Sequence, residues 1–324
     1  MQIFNPTLRG CGISLAIAAT SFCASAQQFP QKPVRLVAPV EAGSPTDTIA
    51  RLIALKLSAA WGQPVIVDNR PSVNGVVGSD IVSKAAPDGY TLLTGNSGTQ
   101  VMNVGLYKKL SYNPATDFSS AAQVVTSPLV LMGSKHFAPT RVSEVISAAR
   151  HSSNVNFAVP GATAQLATLM FNSAAALDIV SVPYKGSAGA ETALLAGDAQ
   201  LFFASVSNAL PYAKSGRMRT LAVSSLARSP ALPDVPTLDE SGLKGFEIEY
   251  WVGLFAPAGT PTDVLEKINR DVNTILGAPE VKAKLSDLGY TPMPRSRIDF
   301  DRYVKGSIDR YGKLMQKLGI QPVN

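Results

Sequence analysis

Side chains able to do covalent or metal chemistry are scarce in this chain. Its 324 residues contain two histidines, His136 and His151, and two cysteines, Cys11 and Cys23. Acyl transfer by a serine needs a nucleophile, a base and an orienting acid in register. No G-x-S-x-G elbow occurs, and Gly95-Asn96-Ser97-Gly98 lacks its spacing. Each histidine lies among Ser, Lys or Arg in a stretch that reads as loop or helix end, so both are expected at the surface. So few imidazoles and thiols argue against a zinc site. There is no H-E-x-x-H, no phosphate-binding G-x-x-x-x-G-K-[ST] and no G-x-G-x-x-G, so neither a metal nor a cofactor is expected. Gly75-Val76-Val77-Gly78 is only a G-x-x-G and reads as a turn. The 23 acids contain no marked pair for acid–base work.

What the sequence does offer is a set of small-residue turns after strand-like segments. Gly43-Ser44 follows the strand Val34–Ala38, Gly95-Asn96-Ser97-Gly98-Thr99 follows a strand at Tyr90–Gly95, and Gly161-Ala162-Thr163 follows one at Val155–Val159. In α/β sheets, ligands bind beyond the carboxyl ends of strands. Small residues there let backbone N–H groups approach a ligand, and helix N-termini favour anions. Three such turns could cradle a small carboxylate without a catalytic side chain. Gly-Ser turns also serve as plain connections, so at this level both readings stay open.

The elements that must position these turns alternate between strand and helix, which implies an α/β fold with largely parallel sheets. A first helix is expected over Thr46–Trp61, with Ile49, Leu52, Ile53, Leu57 and Ala60 on one face and Gly62 as its stop. Further strands are expected at Pro64–Asp68, Ile179–Val182, Gln200–Ala204 and Arg219–Val223. Helices are expected around Val142–Ala149, Ala164–Ala176 and Ala188–Leu195. Thr260-Pro261-Thr262-Asp263 reads as a helix start capped by Thr260. Pro279-Glu280 opens a short helix, and Phe300–Leu318 forms a last one.

The N-terminus reads as an address. Arg9 is followed by an apolar run at 11–23 and then Ala24-Ser25-Ala26, the pattern of a signal peptide cleaved near Ala26. The run is too short to span a membrane. Cleavage would remove both cysteines, and losing Arg9 lowers the formal charge from +6 to +5. A charge this small, with no Lys/Arg run, is a poor footprint for nucleic acid. Hydrophobic residues at 46% and charged residues at 16% exclude a disordered chain.

The chain resembles the Bug family, the periplasmic solute-binding components of tripartite tricarboxylate transporters. The resemblance rests on Pro33-Val34-Arg35-Leu36-Val37, Thr46-Asp47-Thr48-Ile49-Ala50-Arg51, Gly62-Gln63-Pro64-Val65 and Asp68-Asn69-Arg70-Pro71. It continues through Ala86-Pro87-Asp88-Gly89-Tyr90-Thr91-Leu92-Leu93, Val182-Pro183-Tyr184-Lys185-Gly186-Ser187, the stretch Arg228–Thr237 and Ala256-Pro257-Ala258-Gly259-Thr260-Pro261. It implies a two-lobed periplasmic binding protein fold with the ligand cleft between lobes. Lobe one would comprise 27–127 plus 249–324, and lobe two 128–248. It also implies a monomer that captures a small organic, carboxylated solute and delivers it to membrane permease subunits, without catalysis. A sensor partner of a signalling receptor, or an α/β hydrolase, is the alternative. By match to the family pattern, the cleft would be lined by Val40, Glu41, Ala42, Gly43, Ser44, Thr46 and Asp47. The second and third turns would add Asn96, Ser97, Gly98, Thr99, Gly161, Ala162 and Thr163. Tyr184, Lys185, Ala204 and Ser205 would face them from lobe two. The chain departs from the pattern at Glu41, where an aromatic and prolines are usual nearby, at Gln165, where His is common, and at Ala204, where many members carry an acid. The turn at Val159-Pro160-Gly161 is also about two residues shorter. The gained Glu41 and the missing acid at Ala204 are expected to shift specificity away from amino acids and citrate.

Overall fold

The structure is a computed structural model that describes residues 1, 2, 29–152 and 154–322. Apart from its first two residues, the expected signal segment lies outside the described residues.

Strand β1 (Val34–Ala38) is buried apart from Arg35, as befits a parallel strand covered on both faces. Helix α1 (Pro45–Trp61) starts where Ser44 Oγ accepts the Asp47 N–H and Pro45 occupies the first turn; it ends at Gly62, whose φ of 64° is left-handed. Its buried face is Ile49, Ala50, Ile53, Ala54 and Leu57. Leu52 is only half-buried at the edge of that face, and Ala60 is exposed in the last turn, where the helix has no core beneath it. Strands β2 (Val65–Asn69) and β3 (Thr91–Asn96) flank β1 in parallel, each beginning and ending one residue later than the sequence suggested.

The Gly75–Gly78 stretch is not merely a turn. Gly75 is left-handed at φ 70°, and Gly78 lies inside helix α2 (Val76–Ser83). A Cβ on Gly78 would come within 2.8 Å of Pro39 and 2.9 Å of the Arg70 carbonyl, so the glycine permits close packing of α2 under the first turn. After β3, the Asn103 N–H reaches back five residues to the Gly98 carbonyl, closing a widened helical turn that leads into α3 (Asn103–Leu106).

Two long strands had no sequence-level expectation. β4 (Phe118–Gly133) and β9 (Glu249–Pro257) run antiparallel from Phe118–Pro257 to Pro128–Glu249. β9 also pairs with β3, which joins it to the first group of strands. The remaining elements are α4 (Val142–His151), β5 (Asn156–Val159), α5 (Ala162–Ala175), β6 (Val180–Pro183), α6 (Gly186–Ala196), β7 (Leu201–Ser205), α7 (Val206–Ser215) and β8 (Arg219–Val223). From Leu129 onward β4 leaves β9 and pairs with β7 and β8 instead. β7, β5 and β6 then continue in parallel. The path is therefore β2-β1-β3-β9-β4-β7-β5-β6, with β4 passing from one group of strands to the other.

The chain closes with α8 (Thr262–Gly277), α9 (Pro279–Asp287), β10 (Thr291–Pro292) on β4, and α10 (Arg297–Lys317). Thr260 does not cap α8. Pro261 holds the capping position in an extended conformation, and the Thr260 hydroxyl turns back to donate to the Pro257 carbonyl at 2.8 Å. An apolar cluster packs α1 and α8 on the β1 side (Leu36, Ile53, Leu57, Leu254, Ile268, Val272), and another fills the β7 side (Val130, Met132, Leu194, Phe202, Val223). In a third cluster, Phe157, Phe171 and Phe203 pack with Phe246, while Trp251 and Phe255 pack with Phe300.

Candidate functional site

The first turn is fixed by Asp47. Its side chain is almost fully buried at the start of α1, and both oxygens are engaged. Oδ2 accepts the Gly43 N–H at 2.8 Å and Arg51 Nε at 2.9 Å, while Oδ1 accepts Asn69 Nδ2 at 2.8 Å. Asn69 Nδ2 also donates to the Val40 carbonyl. Burial opposes ionisation of Asp47, but the bonds from Arg51, Gly43 and Asn69 outweigh it and hold its carboxyl below the usual range. Asp47 thus shapes the turn from beneath, as does Ser44 by capping α1. Glu41, Ala42 and Gly43 are exposed on top, and Val40 packs half-buried on the core.

Thr46 links this turn to the second. Its Oγ1 accepts Asn96 Nδ2 at 3.1 Å and is hydrogen-bonded to the Tyr250 hydroxyl. The second turn is self-braced: the Asn96 N–H donates to Thr99 Oγ1 and the Thr99 N–H to Asn96 Oδ1, both at 3.0 Å. Tyr112 Oη clamps it by donating to the Thr99 carbonyl at 2.6 Å.

The second turn meets the third. Ser97 Oγ lies 3.0 Å from Thr163 Oγ1 in the first turn of α5. A Cβ on Gly98 would sit 3.3 Å from Thr163 Oγ1 and 3.4 Å from the Ala162 methyl. Gly161 precedes α5, and a Cβ there would meet nothing within 4 Å, so its backbone faces open space. The first N–H groups of α5 have no partner within the helix, which leaves them available at the edge where the turns converge.

Beyond β6, the Tyr184 N–H donates to the Val159 carbonyl, and its ring packs half-buried near Gly189. Lys185 is exposed just before α6. Glu41 reaches the start of that helix: a Cβ on Gly186 would lie 3.1 Å from Glu41 Oε2. Ala204 is buried in the apolar cluster with Val130, Met132 and Val223, where its methyl serves packing. Ser205 caps α7 and bonds Ser207 Oγ at 2.9 Å, and Ser207 bonds the Tyr290 hydroxyl at 2.9 Å. Both histidines are exposed, and His151 Nδ1 lies 2.8 Å from the Ser147 carbonyl. Among the described residues, no group of three His, Cys, Asp or Glu could hold a metal ion.

Two tyrosines at this junction escaped the sequence reading. Tyr250 enters from β9 and Tyr290 from the segment before β10. Burial and then the neighbouring Tyr290 push the Tyr250 phenol well above its usual range, against the bond from Thr46. Burial pushes Tyr290 up to about 12, against its bonds to Ser207 and Ser205. Both are neutral phenols at physiological pH. The apolar, aromatic run Tyr250–Pro257 is a strand signal that would have placed Tyr250.

Two groups of strands joined by crossing strands, with their strand-end turns facing each other, define a two-lobed periplasmic solute-binding protein fold. Residues 49–320 match the model of the tripartite tricarboxylate transporter family receptor, and the chain belongs to that family. It is similar to a Rhodopseudomonas palustris protein solved with adipate (34% identity, covering 91% of this chain and 100% of that one, TM-score 0.87). It is also similar to the periplasmic binding protein BugD (31% identity, 91% and 100% coverage, TM-score 0.86). A third similar structure is MatC from Rhodopseudomonas palustris with bound malate (35% identity, 88% and 99% coverage, TM-score 0.84).

Proposed function

We propose that this receptor captures a small carboxylated solute in the cleft between its lobes and hands it to membrane permease subunits, without transforming it. The observation that carries this reading is the convergence of the strand-end turns, with Ser97 on Thr163 and Gly98 against Ala162. Adipate in one similar structure and malate in another support a carboxylate as the solute class. The amides of Gly98, Ala162 and Thr163 would receive one carboxylate, with Ser97 and Thr163 hydroxyls beside them. Asn96, Thr46 and Tyr250 hold that wall in place.

The partner switch of β4 after Pro128 supports lobes bounded at 127/128 and 248/249. Closure of one lobe on the other is a hinge motion, and β4 and β9 are the segments that would bend. A monomer in the periplasm, its signal segment removed near Ala26, is the form that fits this role. The family is a solute-binding one, and the scarcity of nucleophile–base pairs supports binding over turnover. The test is a thermal-shift and calorimetric panel of C4–C8 organic acids. One equivalent of a carboxylate bound per chain, without consumption, supports the reading; no binding by any acid, or turnover of one, overturns it.

A further inference from the structure

Glu41 is the one acid that the first turn adds to the cleft rim. Its carboxylate crosses from the β1–α1 turn to the first residue of α6, so closely that a Cβ on Gly186 would lie 3.1 Å from Oε2 and 3.5 Å from Cδ. Gly186 is left-handed at φ 64°, a conformation that favours glycine. The missing side chain leaves the space into which the carboxylate fits. This contact and the Ser97–Thr163 bond are two separate points at which the first lobe touches the second. A solute that bridges the two contacts would run from the Ser97–Thr163 end to Glu41. The neighbouring Lys185 is exposed and forms no ion pair with Glu41 within 4.0 Å among the described residues. The negative charge at this end is thus not cancelled by a salt bridge.

We propose that Glu41 determines specificity: the receptor takes solutes with a single carboxylate and an uncharged far end, and rejects dicarboxylates. The proposal rests on the cleft being the solute site. Two carboxylates forced close together in a closing, partly desolvated cleft repel, and this repulsion discriminates between ligands of equal size and shape. The rejected class is the dicarboxylate class represented by adipate in a similar structure, so the difference would set this chain apart within its own family.

The test uses matched pairs that differ by one charge. Adipate and its monoamide, and the C4 to C8 dicarboxylates with theirs, are titrated calorimetrically into the wild type and into Glu41→Gln. The Glu41 side chain is exposed, so the variant should fold, and an unchanged melting curve checks this. The expected result is at least tenfold tighter binding of the monoamides by the wild type, with the gap reduced to within about threefold in Glu41→Gln. Equal or tighter binding of the dicarboxylates by the wild type, or an unchanged gap in the variant, overturns the role of Glu41 while leaving the solute reading standing. Binding of neither member of any pair overturns both.

Discussion

Ser97 Oγ, just past the end of β3, and Thr163 Oγ1, in the first turn of α5, lie 3.0 Å apart. The two residues are 66 positions apart in the chain, and each stands where a strand hands over to a helical turn. This contact brings together two turns of small residues, Ser97-Gly98-Thr99 and Gly161-Ala162-Thr163. Ser97→Ala and Thr163→Val should each weaken carboxylate binding by about three- to tenfold, or about 0.5–1.5 kcal/mol. Because the hydroxyls are partners, the double variant should lose less than the sum of the two. Calorimetry on the four proteins checks this, and strictly additive losses would count against the pairing.

Asp47 should matter to stability more than to the solute. Asp47→Ala leaves the Gly43 N–H and the Asn69 amide without their acceptor and should cost about 1–3 kcal/mol. The pH dependence has a definite sign. Its folded carboxyl titrates below the unfolded value near 3.8. Its stabilisation is therefore complete above about pH 4 and is lost as pH falls through the lower folded value. Asp68 acts in the same direction: burial opposes its ionisation, and Arg35 and Arg70 outweigh that. Denaturant melts between pH 3 and 7 should show a shallower acid limb in Asp47→Asn, with the Asp68 share remaining. An acid limb as steep as wild type would contradict this assignment.

Two left-handed glycines should respond differently to alanine. At Gly62 (φ 64°) a Cβ meets nothing within 4 Å, so Gly62→Ala should cost only the backbone term, about 1–2 kcal/mol. At Gly75 (φ 70°) a Cβ would lie 2.7 Å from Thr99 Cγ2 and 2.9 Å from the Pro39 carbonyl. Gly75→Ala should cost about 2–4 kcal/mol, combining backbone and overpacking terms. It should also weaken binding, since Pro39 and Thr99 both lead into the turns. Urea melts rank the two, and the reverse order would contradict the packing described.

The phenols at the junction should be silent through neutral pH. Tyr290 has a folded pKa of about 12 against an ordinary 10.0. The neutral form's stabilisation is then complete below about pH 10 and lost as pH rises toward 12. Tyr290→Phe removes the bond to Ser207 and should cost about 0.5–1.5 kcal/mol. It should also flatten the alkaline limb. Phenolate absorbance that shows every tyrosine ionising near pH 10 would contradict the burial.

The turns were legible because strand, small residues and helix follow each other within a few positions at Val34–Trp61 and Asn156–Ala175. The long strands were not. β4 opens Phe-Ser-Ser-Ala-Ala-Gln and carries Pro128 at the point where it changes partners, so its strand-forming pieces Val124–Thr126 and Leu129–Leu131 are short, interrupted and without alternation. β9 does carry a strand signal at Tyr250–Pro257, but the place of Tyr290 depends on the two-residue β10 pairing with β4. Asp47 looked like a ligand residue, and the structure spends its carboxylate on Gly43, Arg51 and Asn69. A motif marks such a residue but does not say which way its carboxylate points. Glu41 stood out as a foreign residue in its turn, yet its reach to Gly186 depends on how the β1–α1 turn meets the start of α6 in the folded chain.

A disulfide lock tests most directly whether solute enters between the lobes. Cys11 and Cys23, the native cysteines, fall within the first 26 residues, so a protein beginning at Gln27 and carrying S97C and T163C would have one pair to oxidise. The hydroxyl oxygens they replace lie 3.0 Å apart, close enough for a bridge. Calorimetric titration with the carboxylate selected by the panel should show one equivalent bound by the reduced protein and no uptake by the oxidised one, with reduction restoring binding. Equal uptake by the oxidised and reduced forms would place the solute elsewhere and contradict the account.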